Sequence, residues 1–148
     1  ENGGVSARVI MGTLWGESAP TTQYAETIYA DVLMDAGAIL PIDAGADERA
    51  VVVALGSASL DGESLETHAL IVLRPGVAAT LRAETASRVM LLGGEAFATH
   101  VWWNFVFSSR DRINQAKDDW RQGRFPHVPG EGDEFIPIPD VPLTRSSD

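Results

Sequence analysis

The sequence predicts a mainly-β protein: an antiparallel sandwich or small barrel that ends in one amphipathic helix. Short stretches rich in Val, Ile and Leu are separated by turn residues along most of the chain. No convincing helical period of 3.6 residues occurs before Ser108, which argues against a fold of alternating strands and helices. Because half-buried strands need a second layer to cover their apolar side, we expect a sandwich or barrel.

The predicted strands follow from runs of β-branched or alternating apolar residues between turn signals. In chain order they comprise residues 7–14, 27–34, 38–42, 48–55, 57–60, 63–65, 67–73, 77–83 and 87–92. In the second of these strands, every other residue from Ile28 to Met34 lies on one apolar face, because strand side chains alternate. Asp61-Gly62 is the clearest hairpin signal, since this pair accepts the positive φ angles of a two-residue turn. The pairs Glu26/Asp31 and Glu63/Glu66 are assigned to solvated strand faces.

Residues 93–125 are the least generic part of the chain. One continuous aromatic strand is predicted up to Phe107, and its two faces follow from the alternation of side chains. The apolar face is predicted to hold Val101, Trp103, Phe105 and Phe107. The opposite face holds His100, Trp102 and Asn104, which would leave a large apolar ring in need of a cover. We therefore expect these three residues to line a ligand pocket or a domain interface.

A helix of about three turns is predicted over residues 109–122. Ser108, followed three residues later by Asp111, resembles an acidic capping box at its start. Ile113, Ala116 and Trp120 share one apolar stripe, as expected of a helix that packs on a sheet. Gly123 is expected to end the helix with a positive φ angle.

The domain prediction has three parts. Residues 1–6 are a loose lead-in, 7–125 are one folded domain, and 126–148 are an extended, acidic, Pro-rich tail. The lack of an initiator Met suggests a piece cut from a longer protein or a trimmed terminus.

Composition excludes several functional classes. The net charge of −10 argues against nucleic-acid phosphates and anionic membrane surfaces as partners. The apolar runs are too short for a membrane helix, and the first residues lack the features of a signal peptide. The chain has no cysteine, which removes disulfides, thiolate ligands and Cys nucleophiles and is compatible with a cytoplasmic location.

The sequence predicts neither a catalytic nor a metal-binding residue in this chain. The three histidines, His68, His100 and His127, are too far apart in sequence to suggest a ligand set. His68 is placed on a strand face with Glu66, and His127 in the tail. The serines lie in no nucleophile-elbow motif.

Five segments together resemble one known family. They are HVWWNFV, SS, RINQAKDDW, GRFP and EFIPIP, and the resemblance extends from about Arg8 to Pro139. They are similar to the C-terminal half of the pirin family, a branch of the cupin superfamily, which implies a cupin-type antiparallel β-barrel (a double-stranded β-helix). Many members read GPFVMNT where this chain reads WNFVFSS, which indicates a bacterial pirin-like subfamily.

The resemblance also implies a function. Cupin enzymes bind a divalent metal through an HxH motif, a Glu and a further His, but ERAVVVALG and RPGVAATLRAETASRVMLLGG contain no His where these motifs would stand. In pirins the N-terminal half carries the iron ligands, so we expect no metal in this chain, and iron or another divalent metal only in an N-terminal half outside it. The first expectation is therefore a non-catalytic, structural or small-ligand-binding half.

Two alternatives remain open. One is part of a metal-dependent quercetin (flavonol) dioxygenase, and the other is a protein-binding regulatory module. The expected partner is the N-terminal pirin cupin half; a chain without that half would expose an apolar face and form a homo-oligomer through it.

Overall fold

The computed structural model describes residues 3–130 and 136–139. The chain divides into two compact units, residues 1–96 and 97–148. In chain order its elements are β1 Val5–Met11, β2 Thr13–Leu14, β3 Glu17–Ser18, β4 Thr27–Met34, β5 Ile39–Ile42, β6 Glu48–Leu55, β7 Ala58–Leu60, β8 Glu63–Ser64, β9 Leu70–Val72, β10 Ala79–Ala83, β11 Ser87–Gly94, β12 His100–Trp102, β13 Phe105–Phe107 and α1 Arg110–Arg121. The mainly-β, antiparallel prediction with one C-terminal helix is confirmed for the described residues.

The first unit is built from two antiparallel sheets. A five-stranded sheet has the order β1-β4-β11-β6-β9, and a four-stranded sheet has the order β5-β10-β7-β8. Strands distant in sequence are neighbours: β11 pairs with β4 on one side and β6 on the other. Such long-range pairing arises because each strand buries only one side chain in two and needs partners to complete the layer.

The core of the first unit draws on both sheets. Its fully buried members share short or branched apolar side chains: Ala30, Val32, Val51, Val53, Leu81, Ala83, Val89 and Leu91. The predicted face of β4 is confirmed, since alternate residues from Ile28 to Met34 are buried. The predicted bounds of β4 and β6 also agree with the structure.

The predicted hairpin turn at Asp61-Gly62 is confirmed. Asp61 and Gly62 have φ angles of 50° and 89°, and they join β7 to β8. Trp15 and Gly16, with φ angles of 51° and 82°, likewise join β2 to β3. These residues were predicted to form the end of one strand and a turn. The second hairpin was missed because Trp, which rarely adopts a positive φ angle, gives no recognisable turn signal.

The second unit contains a hairpin where the sequence predicted one continuous aromatic strand. β12 and β13 pair in the register His100 to Phe107 and Trp102 to Phe105, so the chain reverses at Trp103 and Asn104. The prediction was wrong because this turn contains neither Gly nor Pro. Instead Trp103 adopts a φ angle of 51°, which is uncommon for a bulky residue.

The reversal also changes the predicted faces of the strand. Residues opposite each other in an antiparallel pair lie on the same face, so Trp102 and Phe105 are together and both are buried. Val101 and Val106 share the other face, and each is 56% exposed. The predicted assignment of Val101 to the core was therefore wrong.

Helix α1 lies within the predicted range but has a different cap. Ser109, not Ser108, is the N-cap, and its hydroxyl accepts a hydrogen bond of 3.4 Å from the backbone N–H of Arg112. The predicted capping box between Ser108 and Asp111 is thus wrong by one residue. Ile113 and Ala116 are buried as predicted, and Gly123 has a φ angle of 63°.

The predicted Pro-rich tail is described only in part. Residues 126–130 and 136–139 form neither helix nor strand, while residues 131–135 and 140–148 lie outside the described residues. Within the described ranges, no helix has the length and apolar character required to cross a membrane.

Candidate functional site

The space between the two sheets is the place where the superfamily resemblance implies a metal site. β6 directs Val51 and Val53 into this space, and β10 and β11 contribute Leu81 and Leu91. All four side chains are essentially inaccessible to solvent. Interiors of this kind are close-packed, and hydrocarbon side chains provide no lone pair for a divalent metal.

The donor chemistry agrees with this packing. In residues 3–130 and 136–139, no three or more His, Cys, Asp or Glu side chains come close enough to hold a metal ion. A divalent metal of the cupin type therefore does not fit the described residues of this chain.

A buried cation is found at one end of the same interior. Arg49 follows the alternation of Val51 and Val53 on β6, and only 2% of its surface is exposed. Its guanidinium donates hydrogen bonds to the carbonyl oxygens of Asp43, Arg74 and Val77, the last two from Nη2 at 2.6 and 2.9 Å. Arg49 thereby ties the loop before β6 to the turn after β9.

The Nε atom of Arg49 is also buried, and it has no hydrogen-bond partner among the described residues. A buried donor left unpaired has a free-energy cost. The three charge-assisted bonds to carbonyls offset this cost, so we interpret Arg49 as a structural tie between loops. Arg49 was not predicted from the sequence; the available signal was a charged residue in phase with the buried valines of β6.

A second charged cluster lies on the outer side of the five-stranded sheet. Asp31 on β4 accepts two hydrogen bonds of 2.8 Å from Arg88 and one of 3.2 Å from Arg8. The hydrogen bonds from Arg88 lower the pKa of Asp31 below its ordinary value near 3.8, against the opposing effect of burial. The same contact raises the pKa of Arg88. The prediction that Asp31 lies on a solvated face was wrong, since this residue is 8% exposed.

The middle of that outer side is apolar. Its side chains come from the four adjacent strands β4, β11, β6 and β9, and we call the following set the outer apolar face: Tyr29, Val52, Leu70, Val72, Met90 and Leu92. Leu70 and Val72 are 60% and 70% exposed. The sequence contains a signal for this face, because AVVVAL and VMLL are continuous apolar runs, typical of strands covered on both sides.

The three predicted pocket or interface residues are not on one shared strand face. His100 is half-buried on β12 and Trp102, on the same strand, is buried, while Asn104 is exposed in the turn. The predicted need for a cover over Trp102 is met within the second unit. Phe105 stacks on its ring with centroids 6.2 Å apart, and Nζ of Lys117 lies 4.3 Å from the ring centre. A ligand-pocket or interface role for His100, Trp102 and Asn104 stays a prediction.

The aromatic residues of the second unit form a small core of their own. Trp103 packs edge-to-face on Trp120 at 5.3 Å, and Phe125 stacks on Phe105 at 5.7 Å. The described part of the tail joins this core: Nε1 of Trp120 donates a 2.9 Å hydrogen bond to the carbonyl of Ile136, and Ile138 packs against the cluster. These contacts explain why Trp120 lies on the inner stripe of α1, as the sequence predicted.

The other two histidines lie outside the helix and strands of the described residues. His68 lies in a turn with a φ angle of 68°, and a ring nitrogen lies 3.1 Å from the carbonyl oxygen of Ala54. Its predicted place on a strand face beside Glu66 was therefore wrong. His127 is exposed and lies in the non-helical segment after α1, as predicted.

Two open clefts lie on the surface of the first unit. One of about 630 Å³ is lined partly by Gly4, Leu33, Met34 and Ser87. The other, of about 400 Å³, is lined partly by Thr13, Thr21 and Glu26. Each is lined by a single carboxylate side chain, Asp35 in the larger cleft and Glu26 in the smaller one.

Comparison with known proteins places the chain in a family. A family model described as the pirin C-terminal cupin domain matches residues 29–126, well over half of the chain. Two pirin-like proteins of Caulobacter vibrioides are similar to it, one 38% identical over 141 residues (95% of this chain and 49% of the relative), the other 31% identical over 129 residues (84% and 47%).

A solved structure confirms the fold. This chain is similar to the crystal structure of a quercetin 2,3-dioxygenase from Acinetobacter baumannii, with a TM-score of 0.82 and 23% sequence identity. The alignment covers 98% of this chain and 50% of the other. The chain thus spans about half the length of the curated relatives it matches. From the family match and the agreement in fold, we conclude that the chain belongs to the pirin C-terminal cupin domain family.

Proposed function

We propose that this chain is the non-catalytic half of a two-cupin protein, with a structural role beside a metal-bearing N-terminal half. The observation that carries this proposal is the interior of the first unit. Where a cupin enzyme has metal ligands, both sheets here contribute short, branched apolar side chains that fill the space. The described residues offer no donor set for a divalent metal.

The parent protein would then perform any metal chemistry elsewhere. We propose flavonol oxygenation as its activity, because a structural neighbour twice as long is named a quercetin 2,3-dioxygenase. On this proposal iron or another divalent metal lies in the N-terminal half, and this chain stabilises that half without binding metal. A cytoplasmic location is part of the same proposal.

Metal analysis of the purified chain tests the first point. The chain is incubated with Fe(II) in the absence of oxygen, and excess metal is removed by gel filtration. The metal content of the protein is then measured by inductively coupled plasma mass spectrometry. We expect much less than one metal ion per chain. The variants His68→Ala, His100→Ala and His127→Ala are matched controls, and we expect each to retain the same low content.

One iron per chain, lost in any of these histidine variants, would contradict the proposal. The coding sequence upstream of Glu1 gives a second test. An in-frame segment of about one domain in length with HxH and a Glu is expected. A start codon immediately before Glu1 would instead indicate a free-standing single-cupin protein.

Turnover separates this proposal from an enzymatic role for the chain alone. Loss of quercetin absorbance under oxygen is followed for the full-length protein and for residues 1–148, each supplied with Fe(II). We expect turnover by the full-length protein only. Turnover by the 148-residue chain would show that it carries the active site itself and would contradict the proposal.

A further inference from the structure

Residues 136–139, which we call the strap, lie on the aromatic core of the second unit. Their sequence, IPIP, restricts the backbone, because each proline fixes its own φ at about −65° and disfavours the α-helical region for the residue before it. The strap forms neither helix nor strand. Alternating prolines favour the polyproline II conformation, in which the carbonyl groups make no internal hydrogen bonds. The strap therefore presents an extended backbone whose carbonyl groups are available to an outside donor.

The strap contacts a surface built around Trp120. The ring of Trp120 packs edge-to-face on Trp103 and Phe125, with centroids 5.3 and 5.6 Å away. Its Nε1 donates a hydrogen bond of 2.9 Å to the carbonyl oxygen of Ile136, and Ile138 packs against the same core. A tryptophan thus provides both an apolar surface and a directed donor to one segment. We call Trp103, Trp120 and Phe125 the strap site.

This combination matches a recurrent mode of peptide recognition. Domains that bind proline-rich peptides do so on surfaces lined by aromatic side chains, and the preformed polyproline II conformation reduces the entropy lost on binding. The groups of the strap that the site contacts are a backbone carbonyl and the apolar side chain between two prolines. Both belong to the sequence of the strap and not to its covalent connection with α1. A separate peptide of the same pattern offers the same groups.

The strap is held by a small set of contacts. Among the described residues, its anchors are the carbonyl of Ile136 and the half-buried side chain of Ile138. The side chain of Ile136 is 61% exposed, and Phe125 of the strap site is 38% exposed. Covalent attachment compensates for weak contacts, because a short tether gives an effective concentration of about the millimolar range. The strap can therefore cover the site without binding it tightly.

We propose that the strap site binds proline-rich peptides of the Ile-Pro-Ile-Pro type and that the strap occupies it as an intramolecular competitor. The class of ligand is argued from the segment seated on the site, whose chemistry the site already accommodates. Release of the strap opens the site to such a segment of another protein. This inference goes beyond the metal-free role and does not depend on it, since all of these contacts lie within residues 97–148.

Peptide binding to the 148-residue chain tests this proposal. The probe is a fluorescein-labelled peptide with the sequence of residues 134–141, EFIPIPDV, and fluorescence anisotropy measures its affinity. Ile138→Glu releases the strap by removing its apolar anchor, and Ile138→Ala does so more mildly. Ile136→Ala is the matched control, because the side chain of Ile136 is exposed and its backbone carbonyl remains in place.

We expect both Ile138 variants to bind the peptide about tenfold more tightly than the wild-type chain, because the intramolecular competitor is weakened. Ile136→Ala should bind the peptide as weakly as the wild type. The peptide EFIAIADV, which lacks both prolines, should bind the Ile138 variants at least about fivefold more weakly. Equal affinity of all four chains for EFIPIPDV, or equal affinity of the Ile138 variants for the two peptides, would overturn the proposal.

NMR spectra of the ¹⁵N-labelled chain locate the bound peptide. The indole N–H resonance of Trp120 is expected to move in the Ile138 variants and to return towards its wild-type position when unlabelled peptide is added. The indole resonance of Trp15, which belongs to the first unit, should stay fixed. Peptide binding without recovery of the Trp120 resonance would place the peptide elsewhere and would overturn the proposal.

A measurement on the wild-type chain needs no variant. Peptide at about millimolar concentration should displace part of the strap and shift the backbone amide resonance of Ile138. No shift at this concentration would overturn the proposal. Sedimentation of the same chain tests a second copy as the source of the strap. A wild-type dimer that the Ile138 variants convert to monomers would show exchange of straps between copies and would overturn the intramolecular competition.

Discussion

Asp31 and Arg49 are both buried charges on strands of the first unit, and the fold stabilises them in different ways. Asp31 is paired with two arginines that remain 74% and 44% exposed, so solvent weakens each ion pair. Arg49 has only carbonyl oxygens as partners among the described residues. Neither arrangement could be predicted from the sequence, because the partners of Asp31 lie 23 and 57 residues away.

Replacing Asp31 is expected to change the pH dependence of stability. Its folded-state pKa lies below the unfolded value near 3.8, so the carboxylate stabilises the fold above that pH and loses this effect as the pH falls through the lowered pKa. At pH 7 we expect Asp31→Asn to lower the free energy of unfolding by about 1–2 kcal/mol. At an acidic pH, below the lowered pKa of Asp31, the difference from wild type should vanish. Urea unfolding at both pH values measures it.

Glu63→Gln is the matched control for this experiment. Glu63 is an exposed strand carboxylate on β8, and we expect the variant to have wild-type stability at both pH values. A deficit of Asp31→Asn that persists unchanged at low pH would mean that the carboxylate charge is not the cause.

Arg49→Met is expected to lower the free energy of unfolding by about 2–4 kcal/mol, because three carbonyl groups lose a charged donor while the side chain remains buried. Arg82→Met is the control: Arg82 points outward from β10 and is exposed, so its replacement should cost less than about 0.5 kcal/mol. Urea unfolding of the two variants makes the comparison. Equal stability of both would show that Arg49 does not tie the loops.

At the scale of elements, the sequence predicts those strands well whose residues alternate or form β-branched runs. β4 and β6 have their predicted bounds because each is rich in alternating apolar or β-branched residues and is followed by turn residues. The hairpin of β12 and β13 was missed because its turn residue, Trp103, is of a type that is common in strands. Packing against Trp102, Phe105 and Trp120 accounts for the positive φ angle of Trp103. Tertiary contacts override local propensity there.

The N-cap of α1 provides a test at this scale. Ser109→Ala removes the acceptor for the N–H of Arg112 and is expected to cost about 1 kcal/mol, whereas Ser108→Ala, one residue earlier and exposed, should have little effect. Denaturant unfolding followed by Trp fluorescence suits the measurement, because Trp102, Trp103 and Trp120 all belong to the second unit. A larger loss for Ser108→Ala would restore the capping box that the sequence predicted.

At the scale of the whole molecule, the family and the fold could be predicted from motifs, but the outer apolar face could not. The sequence directed attention to His100, Trp102 and Asn104 because a continuous strand would have left Trp102 uncovered. Once the chain reverses at Trp103, Trp102 belongs to a core. The apolar runs of β6 and β11 had been interpreted only as strands, and their second face was recognised only when the sheet order was known.

The two cores lead to a further expectation for the molecule. Every residue of the larger core precedes Phe97, and every residue of the aromatic core follows Ala96. We therefore expect residues 1–96 to fold cooperatively when expressed alone, with a strand-type circular dichroism spectrum and a dispersed amide spectrum in NMR. A collapsed state without cooperative unfolding would contradict this expectation.

The tie made by Arg49 has a practical consequence. A metal ion that joined the loop before β6 to the turn after β9 could be removed by a chelator or displaced by a competing ion. A guanidinium is part of the chain, is charged at every physiological pH and does not change with the supply of iron. The join between these two loops therefore forms when the chain folds and does not depend on the supply of iron.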